Sequence, residues 1–453
     1  MNKKTTNNIS RREFMKKSAL GLTGLSLAGI GPGFIDRQAL AAAEAPRPTF
    51  SLEPNPTVKV LRWKAFIQDE LDIWLANTRR WEELTGGRVV VDSLPWEEVR
   101  PRAAMEATLG AGHDLVIGWY DDPHLYPDAL VDLTDLAEYL GSQYGGWYPI
   151  CRTYGRDHRT GRWLGLPIGC SGLCMNYRLG WLHEAGFEAP PSRIDEFIKC
   201  CQALKAKGHP IGLALGRGSG DPTTWTHWWL WSFGGRAVEP DGKTMAINSP
   251  ETLLALEAAR ELFETMIPGV ENWLDSDNNN AFLSGQISVT NNGSSILSAA
   301  KQNYPEVAAD LVVANFPLGP VGRPTELSLL SQAFIYKHSP VPNAARHYLL
   351  FMFEAEQYSR WIGGSQGYIT QSLKAFHDLP AWKNDPRIEP YRECMDRMLP
   401  NGHAGPLGKA SAAAMSEFII VDMFSEACTG KKTPANAALA AEKRLARLYS
   451  AGS

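Results

Sequence analysis

Between residues 58 and 119 the chain repeats one arrangement: strand-like run, helical run, strand, helix, strand. Residues 58–63 are an apolar run. Residues 71–84 carry apolar positions at helical spacing and stop at Thr85-Gly86-Gly87, and 88–94 alternate with β-branched residues. A second helical pattern over 97–109 ends at Gly110-Ala111-Gly112. Residues 114–119 then form the short continuous apolar run expected of a strand covered on both faces. Parallel strands need a crossover of roughly a dozen residues, which these helices supply, so the spacing predicts parallel α/β construction. Ligands of such sheets sit beyond the carboxyl ends of the strands. Three loops fall there: 64–70 with Lys64, Gln68 and Asp69; 95–98 with Trp96 and Glu97; and 119–122 with Trp119, Asp121 and Asp122.

The first 43 residues stand apart from this pattern. Ser10-Arg11-Arg12-Glu13-Phe14-Met15-Lys16 resembles the twin-arginine export consensus, a mildly apolar run follows from residue 18 to 34, and Ala41-Ala42-Ala43 suits cleavage. No Cys lies near that point, so a soluble periplasmic protein without a lipid anchor is expected, with the twin-arginine translocase as its partner during export. The segment carries seven Lys/Arg against two Asp/Glu, and its removal takes the net charge from −4 to −9. Such a balance argues against nucleic acid or an anionic membrane as partner. The remaining 410 residues exceed one core and predict two or more units. Residues 44–56 are Pro-rich and read as a flexible leader. Seven Cys (151, 170, 174, 200, 201, 394 and 428) follow neither a disulfide framework nor a C-x-x-C pair, and buried free thiols are the expectation.

Residues 161–178 hold two strand-like runs joined through Pro167-Ile168-Gly169, which reads as a path from one folding unit into another. Pro167 and Gly169 are the hinge candidates and Ser171 faces the ligand. Further on, Trp225, Trp228 and Trp229 share a helix face; most of these rings read as core, with Trp225, nearest the loop that holds Asp221, meeting the ligand. The run 275–280 (DSDNNN) resembles a calcium loop but lacks the Gly and the bidentate Glu, so a polar helix cap is the better reading. Gly363-Gly364-Ser365-Gln366-Gly367 has the letters of a nucleophile elbow, yet a helical segment precedes it where a strand is required. No metal or cofactor motif occurs. Fifteen Trp, several in loops on the ligand face, are interleaved with carboxylates and amides. Flat rings suit the C–H face of a sugar and carboxylates its hydroxyls; the same set suits a cationic amine. A polyamine held by Asp121, Asp122 and Glu97 and an exported glycoside hydrolase are the alternatives.

An ordered series of short motifs resembles the extracellular solute-binding proteins of carbohydrate ABC importers, the maltose-binding-protein-like group. Trp81-Glu82-Glu83-Leu84-Thr85-Gly86, Ala111-Gly112-His113-Asp114-Leu115-Val116 and Leu166-Pro167-Ile168 with Tyr177 carry it first. Ala185-Gly186-Phe187 through Pro190-Pro191 to Asp195-Glu196-Phe197, Phe233-Gly234-Gly235 and Phe282-Leu283-Ser284-Gly285-Gln286 continue it. Departures include Arg178 after Tyr177, His113 at a common Pro position, and Ser171 where maltose-binding protein has a ligand-contacting carboxylate. The resemblance implies a type II-like periplasmic-binding-protein fold of two α/β lobes, each with a mainly parallel sheet flanked by helices. The lobes would be 57–167 plus 285–356 and 168–284 plus 357–453, with crossings near 167–171, 284–286 and 354–361. It also implies a monomer without cofactor, metal or catalytic motif that carries a sugar or polyol to the permease of an ABC importer. The site residues from the lobe interface are then Asn292, Gly293, Tyr368 and Glu417 in addition to those named above.

Overall fold

The computed structural model describes residues 45–451; the twin-arginine resemblance within residues 1–43 lies outside them. Strand β1 (Thr57–Trp63) runs parallel to β2 (Arg88–Leu94) and to β3 (Leu115–Trp119), with Val60 opposite Val91 on one side and Leu115 on the other. All five residues of β3 are buried, as its unbroken apolar run requires. Helices α1 (Gln68–Thr85) and α2 (Val99–Leu109) are the crossovers. They end at Gly86 (φ 73°) and Gly110 (φ 64°), left-handed positions that glycine occupies without a Cβ clash. Helix α3 (Thr134–Gln143) follows, and then β4 (Leu166–Ser171). Strand β8 (Leu329–Ile335) is inserted antiparallel between β3 and β4, giving the order β2-β1-β3-β8-β4.

Only Gly172 and Leu173 separate β4 from β5 (Cys174–Arg178), yet β5 is the middle strand of a different sheet, β6-β5-β7. Its neighbours β6 (Val289–Asn292) and β7 (Leu311–Ala314) both run antiparallel to it. The chain is therefore an α/β fold of two lobes, one per sheet. Around the second sheet lie α4 (Ile194–Ala206), α5 (Asp221–Ser232), α6 (Pro250–Phe263) and α7 (Ser295–Asn303). Helices α8 (Pro342–Met352) and α9 (Ala355–Gly364) return to the first lobe and pack on α1. After α10 (Lys409–Ser416), α11 (Ile419–Cys428) packs on α5 and α6, and α12 (Pro434–Ala451) closes on α11.

Three expectations need correction. The sheets are not mainly parallel throughout: β8 re-enters the first sheet reversed, and the second sheet is antiparallel in all its pairings. Lobe membership also differs. Pairing with β5 carries β6 and β7 into the second lobe, so residues 289–314 leave the first. The chain changes sheet at Gly172-Leu173 and again between β7 and β8 instead of near 284–286, and residues 370–375 beyond α9 still pair with Cys170 and with residues 144–148 of the first lobe. Finally, residues 45–56 are docked. The Glu53 carboxylate accepts hydrogen bonds from the Asn343 and Ala344 amides (3.0 and 2.9 Å) at the start of α8, where exposed N–H groups and the helix dipole favour an anion.

Candidate functional site

The β4–β5 crossing is the floor of a cleft. Pro167 and Gly169 sit at a register shift in the β4–β8 pairing. A Cβ on Gly169 would lie 2.4 Å from Ile369 Cγ2, so glycine here permits close packing of the segment that also exchanges backbone hydrogen bonds between Cys170 and Thr370 (3.0 and 2.8 Å). Ser171 Oγ donates to the Tyr368 carbonyl at 2.8 Å. Ser171, Leu173 and Leu329 come from the crossings; Phe66, Trp96 and Tyr368 wall the cavity with rings; Gly220, Asp221, Asp275, Asn279, Asn292, Gly293 and Ser295 face them from the second lobe. The enclosed space is about 30 Å³, and with its open mouth about 320 Å³.

The rings form a continuous surface. Phe66 meets Trp96 edge-on at 5.6 Å and Tyr368 at 5.9 Å, and Trp96 rests on Trp119 with centroids 3.8 Å apart. The opposite wall is polar and mutually bonded. Asp221 is the first residue of α5, and its Oδ2 accepts from Asn278 and Asn292 amides, both at 2.8 Å. Asp275 accepts from the backbone N–H groups of Asp221 (2.7 Å) and Gly220 (3.1 Å). A Cβ on Gly220 would stand 2.6 Å from Asp275 Oδ1, so only glycine lets that carboxylate approach. Asn292 also bonds Asn279 and accepts from Ser295 Oγ at 2.9 Å. Burial raises the pKa of both carboxyls. The Asp275 charge adds to this at Asp221, and the Glu97 charge adds to it at Asp275, against the hydrogen bonds that each acid accepts.

Of the residues expected from sequence, Trp96, Ser171, Asp221, Asn292, Gly293 and Tyr368 line this cavity. Glu97 is exposed beside Trp96. Lys64 is exposed at the end of β1, Gln68 bonds Asp72 (2.9 Å), and Asp69 accepts from Gln366 (2.9 Å); none of the three lines the cavity. Trp119 supports Trp96 from behind and is 1% exposed. Trp225 is a core ring: its Nε1 donates to the Ala214 carbonyl and it packs on Phe424 and Trp229. Asp121 and Asp122 are fully buried beside the Arg100 guanidinium and do not line the cavity, so they cannot meet a polyamine there. Glu417 pairs with Arg444 and Arg447 instead of reaching the cleft. Sequence reading misses Phe66, although it lies between Lys64 and Gln68, and Asp275 and Asn279, although both belong to the DSDNNN run that reads as a helix cap.

A larger cavity, about 690 Å³, lies between α7, α9 and residues 381–388, lined by Leu297, Ile362, Trp382 and Ile388 with the Lys301–Asp385 ion pair. It has no wall of stacked rings facing free acceptors. Among the described residues no cluster of three or more His, Cys, Asp or Glu is arranged to hold a metal, all seven Cys are unpaired, and no helix is long and apolar enough to cross a membrane.

The architecture has close counterparts. The maltose-bound MalE3 of T. maritima superposes with a TM-score of 0.76 at 20% identity, covering 86% of this chain and 99% of that one. An ABC transporter solute-binding protein of Thermotoga lettingae, bound with α-D-tagatose, gives 0.74 at 17% identity over 87% and 100%. A Deinococcus radiodurans protein described as a probable ABC transporter-binding protein is 24% identical over 395 residues, 82% of this chain and 89% of the relative. The model of the bacterial extracellular solute-binding proteins matches residues 61–359. With two lobes, a cleft at their crossing and a family match over most of its length, the chain belongs to the bacterial extracellular solute-binding proteins.

Proposed function

We propose that this protein captures a sugar or related polyol between its lobes and delivers it to the membrane permease of an ABC importer. The observation that carries the reading is the cavity itself. Phe66, Trp96 and Tyr368 offer flat apolar surface for a sugar ring, and Asp221, Asn279, Asn292 and Ser295 offer acceptors and donors for its hydroxyls. The maltose and tagatose bound by the two structural counterparts support this solute class. Export by the twin-arginine route and a periplasmic location fit residues 1–43, and the permease partner follows from the importer role. Closure would turn on the crossings, with the irregular pairing at Pro167 and Gly169 as the yielding point.

The test is a thermal-shift screen of neutral mono- and disaccharides and polyols. A bound solute stabilises by RT ln(1 + [L]/Kd), about 2.7 kcal/mol at a hundredfold excess over Kd, so a saturable rise in Tm without product formation is expected. Turnover of a glycoside, or a response to polyamines alone, would defeat the proposal.

A further inference from the structure

The polar wall of the cleft is short of positive charge. Asp221 and Asp275 are 4% and 7% exposed, and among the described residues neither enters an ion pair. The charged groups acting on them are Asp275 at Asp221 and Glu97, of the first lobe, at Asp275. Tyr368, the other titratable group in the wall, senses both carboxylates. Two donors converge on Asp221 Oδ2, while among the described residues none donates to its Oδ1. The buried indole N–H of Trp96 has, among the described residues, no hydrogen-bond partner within normal bonding geometry and lies toward Asp275, whose charge it favours. Buried like charges without a counter-charge are costly, and they persist where a proton or a bound cation offsets them. A neutral sugar satisfies open acceptors and leaves the charge uncompensated. An ammonium supplies three N–H donors and the charge together, and the rings of Phe66, Trp96 and Tyr368 favour a cation over their faces.

Resting on the sugar reading above, we propose that the solute carries a protonated amine beside its hydroxyls, as an amino sugar or aminated polyol does, with the ammonium at Asp221 and Asp275 and the ring against Phe66, Trp96 and Tyr368. Asp221 and Asp275 then determine specificity as well as hold hydroxyls.

Isothermal titration of the purified protein at neutral pH tests this with glucosamine, galactosamine and mannosamine, each beside its parent hexose and N-acetyl derivative, and with putrescine. At least one hexosamine should bind about tenfold tighter than its parent, the margin of one charge-assisted hydrogen bond. That margin should shrink in Asp275→Asn and, by less, in Glu97→Gln. Should Asp275→Asn fail to fold, Glu97→Gln alters an exposed side chain and carries the test alone. A panel in which no amine exceeds its parent hexose overturns the inference, and a neutral hexose that binds within it leaves the sugar reading standing. Putrescine binding without any sugar or amino sugar overturns both.

Discussion

Two pairs of buried aspartates lie in this molecule, and they have opposite electrostatic surroundings. Asp121 and Asp122 are adjacent in sequence, follow β3 and are fully buried. Arg100, near the start of α2, bonds Asp121 and stands 2.6 Å from Asp122, while Asn401 donates to Asp121 at 2.9 Å and the Trp119 amide to Asp122 at 2.8 Å. Asp221 and Asp275 are separated by 54 positions, meet only in the fold, and have amides and no cation. The first pair shares one cation and is closed off from the cavity; the second has no cation and is open to it. A carboxylate pair therefore becomes a binding element through what the fold leaves unpaired, and adjacency in sequence is a poor guide to it.

The largest expected effect comes from breaking the closed pair. Arg100→Ala leaves two buried carboxylates without their cation and should cost about 3–5 kcal/mol in urea unfolding. A loss below about 1 kcal/mol would mean that the guanidinium is dispensable and that the two pairs do not differ as described. Burial pushes Asp121 up to about 7 even against the pull of Arg100, with Asp122 adding to the rise. Removing that cation can only raise it further.

A smaller effect sharpens the open pair. Asp275 has a folded pKa above its unfolded value near 4, so in the ligand-free protein the native state holds the proton more tightly. The resulting stability is fully present below pH 4 and is lost as pH rises through the folded value. Asp275→Asn removes this dependence. Because the buried His124 and His227 and the half-buried His403, held near 4 by desolvation, impose the opposite trend, the informative quantity is the difference between the two proteins. The variant should gain on the parent between pH 5 and pH 8, by on the order of 1 kcal/mol in thermal unfolding. Parallel curves would show that Asp275 is compensated after all.

Much of the first lobe was legible because its information is local. The alternation over 58–119 and the glycine stops at Gly86 and Gly110 specify β1 to β3 and their crossovers almost residue by residue. The joint between β4 and β5 announced itself through Pro167 and Gly169, although the change of sheet falls three residues on, at Gly172-Leu173. What was illegible depends on long-range pairing. Strands β6 and β7 are four residues long; β6 (Val-Thr-Asn-Asn) is buried without an apolar run to announce it, and the apolar run of β7 does not say beside which strand it lies. Trp225 and Trp96 look alike in sequence; one fills the core beneath α5 because a backbone carbonyl accepts its N–H, and the other stands in the cleft because β2 ends there. Asp275 belonged to a recognised polar run, but its role comes from the amides of Gly220 and Asp221, which nothing local reveals.

The central claim is that the cleft around Asp221 holds the solute. Titration calorimetry of the parent protein and Asp221→Asn with the sugar or amino sugar that most stabilises the parent tests it most directly. The account predicts a loss of affinity of about tenfold to a hundredfold, the value of a charge-assisted hydrogen bond, with thermal stability of the ligand-free variant held or raised. Equal affinity in the two proteins would contradict it.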